Sequence, residues 1–230
     1  MSTPAVPEST LRPHHAATDG GRLRRTAGWV SIGMFLVWIG TSILALVWNL
    51  EQRSLLRRVQ RDPLSVSLDE VRDSDARADV LNHTLFVLLI VTAACFITWM
   101  YLEYRRAERA GTVTRFETGW AIGAWFVPIW NWFRPFQVME DVWGATAGRT
   151  RSRVLPGAWW GFSLASLVAL FAATSGDEVR TIDEALQRNG WYIARAVLSL
   201  VAAVLAALMV RAVLVDRAGT DVASGAASEV

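Results

Sequence analysis

The residues whose types and spacing come closest to a functional site lie in the aromatic-rich stretch 119–134. Pro128 removes one backbone hydrogen bond and clashes with the carbonyl group four residues earlier, so this stretch predicts a broken helix. Broken helices line ligand sites in transporters, and Asn131 and Arg134 could donate hydrogen bonds to an anionic lipid headgroup. The alternative is a packing device in which Asn131 bonds the carbonyl group that Pro128 leaves free.

Residues for catalysis or metal binding are not recognisable elsewhere in the sequence. The three histidines and the single cysteine lack the spacing of zinc ligands. Acids between residues 69 and 79 alternate with Arg72 and Arg77, which is typical of a solvated, ion-paired helix face. We therefore expect no catalytic site, no cofactor and no metal. Only Glu140 and Asp141 could act on a lipid headgroup, and this enzymatic hypothesis ranks last.

The composition indicates a membrane protein. Of the 230 residues 53% are hydrophobic and 19% are charged, which excludes a disordered chain. The apolar residues form long uncharged runs, as in transmembrane helices. All 23 basic residues are arginine, a bias that we interpret as that of a GC-rich bacterial genome. With 21 acids the formal charge is only +2, so we expect no binding to nucleic acid.

Four runs predict transmembrane helices at about residues 28–50, 80–102, 156–176 and 191–215. Trp29 and Trp48 bracket the first run, and Trp99 and Arg105 lie at the end of the second, as expected at a membrane interface. Arg195 lies near one end of the fourth run, and we expect its charged group to extend to the interface. Residues 1–27 and 216–230 are predicted to be disordered tails.

The arginines predict the topology. If residues 119–134 do not cross the bilayer, both termini lie on the side that holds 14 of the arginines, and 9 lie on the other side. If they cross, the numbers become 11 and 12. Because arginine is in excess in cytoplasmic loops, we expect four crossings with both termini in the cytoplasm. The stretch 119–134 is then a re-entrant or interfacial segment of a multi-pass protein in the cell membrane.

Three further helix signals lie outside the four runs. Ser67 and Glu70 form a capping box, which predicts a helix that continues directly into the second span. Apolar residues at helical spacing in 177–190 predict a short, separate amphipathic helix on the membrane surface. Pro135 is well placed as the first residue of an interfacial helix that ends near Gly148.

The broken stretch also carries a family resemblance. The string Trp125-Phe126-Val-Pro128-Ile-x-Asn131, followed by Pro135 and Trp143, resembles the signature of the domain of unknown function 4328 family, uncharacterised bacterial multi-pass membrane proteins. The resemblance spans residues 80–215 and departs from the family pattern at Leu102 and Arg106. It implies an integral membrane protein and no established activity. The candidate functional or packing residues are Trp99, Arg105, Trp125, Phe126, Pro128, Asn131, Arg134 and Pro135.

The sequence therefore predicts an all-α integral membrane bundle, with the lipid bilayer and anionic headgroups as its surroundings. Our first functional hypothesis is a non-enzymatic interaction or regulatory module. It would contact other membrane proteins, or copies of itself, through small-residue faces such as Gly161/Ala165 and Ser199/Ala203/Ala207. The alternative is a small-molecule or lipid transporter or channel subunit whose site lies at the Pro-broken segment.

Overall fold

The computed structural model describes residues 13–112, 114–147, 152–176 and 178–227, with side chains for 20–112, 114–146, 152–176 and 178–217. Every regular element in these ranges is helical, which confirms the all-α prediction. The helices are α1 (Pro13–Arg61), α2 (Leu68–Arg109), α3 (Trp120–Gly123), α4 (Arg134–Ala147), α5 (Val154–Thr174) and α6 (Ile182–Ala227). Single 3-10 turns occur at Pro63–Ser65 and Trp130–Trp132.

Four helices are long and apolar enough to cross a membrane, and they overlap the four predicted runs. These stretches are Gly20–Arg61, Leu68–Arg109, Val154–Thr174 and Ile182–Arg217. The membrane bundle predicted from the sequence is thus confirmed. A helix rises about 1.5 Å per residue and the apolar core of a bilayer is about 30 Å thick, so α1, α2 and α6 are longer than one crossing needs.

The helix ends differ from the predicted tails. α1 begins at Pro13, so the part of the predicted tail from residue 13 to 27 is helical, with a proline in the favoured first position. At the other end α6 continues to Ala227 instead of ending near residue 215. The remaining tail residues, 1–12 and 228–230, lie outside the described residues.

The separate amphipathic helix predicted for residues 177–190 is not present in the described part of this range. α6 instead begins at Ile182 and passes through Gly190 without a break. Glycine lowers helix stability by only about 1 kcal/mol, so the apolar run that follows carries the helix through it. The start of α6 is capped, since the Thr181 hydroxyl accepts a hydrogen bond from the Glu184 N–H at 3.2 Å.

The start of α2 follows the sequence prediction. The Ser67 hydroxyl accepts a hydrogen bond from the Glu70 N–H at 3.2 Å, and the helix then runs to Arg109 without interruption. The Glu70 carboxylate does not return to the cap but pairs with Arg58 of α1. The capping sequence therefore starts one helix and also joins it to its neighbour.

The bundle has α1 between α2 and α6, and α5 packs along α6. Residues 114–147 cover one end of the bundle, here called the cap end, where α4 contacts α2, α5 and α6. The other end, here called the loop end, carries the connections 62–67 and 175–181. There the Asn189 amide donates to the Asn49 carbonyl oxygen at 3.1 Å, which ties α6 to α1. The largest fully buried apolar side chains are Trp99, Tyr104, Met100, Met139 and Met209.

Gly28 allows α1 to approach its two neighbours closely. A Cβ atom at this position would lie 2.8 Å from a Leu214 methyl group and 3.1 Å from the Trp99 indole nitrogen. Gly33, one and a half turns further along α1, faces open space. The contact at Gly28 is therefore a packing constraint specific to that residue.

We expect Gly28→Leu to lower the free energy of unfolding by about 1–3 kcal/mol, because the added side chain must displace Leu214 or Trp99. Thermal unfolding of the purified protein in detergent measures this change. Gly33→Leu is the matched control and should leave the melting temperature within error of the wild-type value. Equal melting temperatures for the two variants would contradict this packing.

Candidate functional site

The Pro-broken segment at the cap end is the least regular part of the fold. α3 is a single turn, and the chain resumes helical structure as the 3-10 turn Trp130–Trp132 after Pro128. The predicted side-chain bond from Asn131 to the freed carbonyl group is absent. Instead the Asn131 backbone N–H donates to the Val127 carbonyl oxygen at 2.8 Å, because the chain turns immediately after the proline. The Asn131 side-chain oxygen is buried and has no hydrogen-bond partner among the described residues.

An aromatic cluster centred on Phe96 of α2 holds this segment against the long helices. The Phe96 ring centroid lies 5.5 Å from that of Trp159 on α5 and 6.4 Å from that of Trp125 in the broken segment. The Trp125 ring in turn meets Trp160 of α5 edge to face at 6.1 Å. The Trp160 indole N–H donates to the Trp132 carbonyl oxygen at 2.9 Å. Both halves of the segment are thus fixed to α5.

Arg134 lies in a cage of three aromatic rings. Its guanidinium carbon is 4.0 Å from the ring centroids of both Trp120 and Trp130 and 4.6 Å from that of Phe116. The two indoles also contact each other, with centroids 4.5 Å apart. A cation over an aromatic face gains about 0.5–2 kcal/mol, more when water is excluded. The side chain that the sequence suggested as a headgroup donor therefore links the two ends of the broken segment.

Beside the cage, Arg115 joins the connection after α2 to α4. Its guanidinium pairs with Glu140 at 3.0 Å and with Asp141 at 3.3 Å. Its backbone N–H donates to the Asp141 carboxylate at 3.0 Å. The Tyr104 hydroxyl accepts from the Phe116 N–H at 3.0 Å and lies 3.3 Å from the same carboxylate. The network fixes the chain where it enters the broken segment.

Burial raises the pKa of the Asp141 carboxyl above its ordinary value, against the opposing effects of the hydrogen bond from Arg115 and of its positive charge. A carboxyl whose pKa is higher in the folded than in the unfolded chain favours folding in its protonated form. Its contribution to stability is therefore present below the ordinary pKa and is lost as the pH rises through the folded-state pKa.

A second buried ion pair joins the end of α2 to α6. Glu103 is 2% exposed, and its carboxylate lies 3.6 Å from the Arg217 guanidinium. Arg217 also donates to the Thr146 hydroxyl of α4 at 3.2 Å. Removing one partner of a buried pair leaves an uncompensated charge, so this contact fixes α2, α4 and α6 relative to one another.

Comparison with known proteins places the sequence in a family. The sequence model of the family described as Domain of unknown function (DUF4328) matches residues 62–214. The chain belongs to this family. No curated protein and no solved structure matches it. The matched range contains the Phe96 cluster, the Arg134 cage and all helices from α2 to α5, and it begins after α1.

The candidate residues of this DUF4328 chain fall into three groups. Trp99 and Pro135 are buried in the core, and Trp125 belongs to the aromatic cluster. Asn131 and Arg134 lie half-buried within the broken segment. The remaining candidates, Phe126, Pro128 and Arg105, are exposed, with Phe126 at 75%. The structure therefore packs five of the eight candidates into the cap end and leaves Phe126, Pro128 and Arg105 exposed.

Several residues that build this end were not among the sequence candidates. They are Phe96, Glu103, Phe116, Trp120, Trp130 and Arg217. Two of them carried a signal, since Trp120 and Trp130 lie in the tryptophan-rich stretch that also contains Arg134. Glu103 was also visible as an isolated acid at the end of an apolar run. The partners Phe116 and Arg217 come from other elements, and no local pattern points to them.

The arrangement at the cap end is well suited to holding backbone segments in place. The carboxylates of Glu140 and Asp141 are paired with Arg115, and Glu140 also lies 3.6 Å from Arg153. Within the described residues, no group of three or more His, Cys, Asp or Glu side chains could hold a metal ion.

We expect Arg134→Gln to destabilise the broken segment by about 1–3 kcal/mol, because the amide keeps polarity but loses the cation over three rings. Hydrogen exchange of the amides in residues 116–134, followed by mass spectrometry, measures the loss as faster exchange confined to that region. Arg105→Gln removes an exposed arginine nearby and is the matched control. Unchanged exchange in Arg134→Gln, or equal effects in both variants, would contradict a stabilising role of Arg134 in the broken segment.

Proposed function

We propose that this protein is a multi-pass protein of the cell membrane that works without catalysis, as a helical module that binds a partner transmembrane helix. The observation that carries the proposal is a small-residue stripe on α5. Gly157, Gly161 and Ala165 recur at every fourth position, and the Cβ positions of both glycines face open space. Residues four apart share one face of a helix.

Small residues contribute more to the association of helices in lipid than in water. Lipid tails are as apolar as the side chains of a helix, so helices associate in membranes mainly through close packing, which glycine at four-residue spacing allows. Gly161 is exposed in this chain, and Val168, further along the same face, is 52% exposed. The other face suggested by the sequence is already used, because Ala203 of α6 is buried within the bundle.

The partner that we propose is a second copy of this chain or another membrane protein with a small-residue helix. Both termini and the cap end then face the cytoplasm, as the excess of arginine predicts. Arg153 is well exposed at the start of α5, where it can contact anionic lipid headgroups. Arg149 and Arg151, which belong to the same basic run, lie outside the described residues.

A second candidate function is a small-molecule or lipid transporter or channel subunit with its site at the Pro-broken segment. The unsatisfied side-chain oxygen of Asn131 favours it, because a buried polar atom without a partner is free to bind a ligand. A headgroup-level membrane enzyme ranks third, since the two acids it would use, Glu140 and Asp141, are already paired with Arg115.

We expect a photoreactive benzoylphenylalanine at Val168 to cross-link to a protein in native membranes, since this position lies beside the stripe. Gly157→Leu or Gly161→Leu in the probe-carrying protein should reduce the adduct at least fivefold, because the partner helix can no longer approach. The adduct is measured by immunoblotting against the total amount of the protein.

Two controls keep this test specific. Leu167→Phe adds bulk at an exposed position away from the stripe and should leave the adduct unchanged. A probe at Phe86, exposed on α2, should give no protein adduct. An adduct at Val168 that survives both glycine substitutions, or no protein adduct at all, would contradict the proposal.

A further inference from the structure

A cavity of about 150 Å³ lies near the loop end of the bundle. It is lined by α1, α2 and α6, with α1 packed along both of the other helices. The residues around it include Trp38 and Trp48 of α1, Leu85 of α2 and Arg195 of α6. This cavity is separate from the broken segment, which covers the opposite end of the bundle.

Among the described residues that line the cavity, Arg195 is the single charged one. The sequence predicts that this side chain extends to the membrane interface, and in the structure it is half-buried and lines this cavity near the loop end. No hydrogen bond or ion pair joins its guanidinium group to another described residue. A charge in a region of low dielectric is costly without a counter-charge, and charged residues in transmembrane helices commonly mark ligand pathways.

Neutral hydrogen-bonding groups line the same cavity. Gln52, Asn82 and Tyr192 line the cavity, and none of them makes a side-chain hydrogen bond to another described residue. Amides and a phenol can donate to an oxyanion together with a guanidinium group, which binds phosphate or carboxylate with two parallel hydrogen bonds. None of the described residues that line the cavity carries a carboxylate, so its polar groups suit an anion.

The depth of the cavity indicates where the anion comes from. Arg195 lies four residues inside the predicted run 191–215, which is about 6 Å along a helix. Tyr192 lies about one turn nearer the loop end on α6, Trp48 lines the same cavity, and aromatic residues of this kind are enriched at the lipid headgroups. The apolar walls provided by Trp38 and Leu85 suit the part of a lipid next to its phosphate.

We propose that this cavity binds a phosphate oxyanion through Arg195, with an anionic phospholipid headgroup as the ligand. The guanidinium group would hold the phosphate, and Gln52, Asn82 and Tyr192 would donate to its remaining oxygens. This site goes beyond the proposed α5 interface and does not depend on it, because none of its residues lies on α5.

Binding is tested by native mass spectrometry of the full chain, purified in detergent, with three probes. These are dihexanoyl phosphatidylglycerol, dihexanoyl phosphatidylcholine and inorganic phosphate. We expect phosphatidylglycerol to bind at least tenfold more tightly than phosphatidylcholine, whose choline group cancels the negative charge. If inorganic phosphate binds as tightly as phosphatidylglycerol and competes with it, the phosphate site stands and its ligand is a free anion.

Three variants identify the site. Arg195→Gln should weaken binding of phosphatidylglycerol at least tenfold, and Arg195→Lys should weaken it less, because the charge remains. Ala78→Leu should weaken binding by filling the cavity while Arg195 is retained. Arg211→Gln, an exposed arginine on the same helix, is the matched control and should leave the affinity unchanged.

The melting temperature of each variant without ligand confirms that it is folded, as expected for Arg195, which makes no hydrogen bond or ion pair to another described residue. The proposal is overturned if phosphatidylglycerol and phosphatidylcholine bind equally and free phosphate does not bind. It is also overturned if Arg195→Gln has the same affinity as the wild type, or if Arg211→Gln weakens binding as much as Arg195→Gln does.

Discussion

Phe96 of α2 packs against α5 and against the broken segment, and the position of the cap end depends on this contact. Pro128 prevents residues 119–134 from forming one continuous helix, so their backbone groups cannot all be satisfied within the segment. The aromatic cluster provides contacts that hold the segment in place of a continuous helix. Trp125 packs on Phe96, and the Trp160 indole N–H donates to the Trp132 carbonyl group. The broken segment therefore keeps a defined position because two long helices hold it.

Three arginines of the bundle have different surroundings for their positive charge. Arg217 pairs with the buried Glu103, and Arg134 is covered by three aromatic rings. Each of these contacts holds the charged group against other residues of the chain and joins separate elements. Arg195 has no such partner among the described residues and faces a cavity instead. This contrast is why we assign a structural role to the first two and a binding role to the third.

Much of this fold could be predicted from the sequence because membrane helices depend on local composition. The four apolar runs, the cap at Ser67 and the break at Pro128 each follow from residues close together in the chain. The prediction for residues 177–190 was wrong because the helix that begins at Ile182 continues into the apolar run that follows. The residues around Gly190 alone do not indicate that the helix passes through this glycine. The Arg134 cage and the Glu103 pair depend on contacts between distant segments, such as Phe116 with Arg134, which no periodicity reveals.

The central claim is that residues 119–134 do not cross the bilayer and that α4 lies on the same side as the end of α2. Accessibility of single cysteines in a Cys95→Ser background tests it most directly, with probes at Ala110, Gly144, Ser65 and Ser175, all exposed. Our account predicts that the Ala110 and Gly144 probes react from the cytoplasmic side, and those at Ser65 and Ser175 from the other. Reaction of the Ala110 and Gly144 probes from opposite sides would make the broken segment a fifth crossing and contradict it.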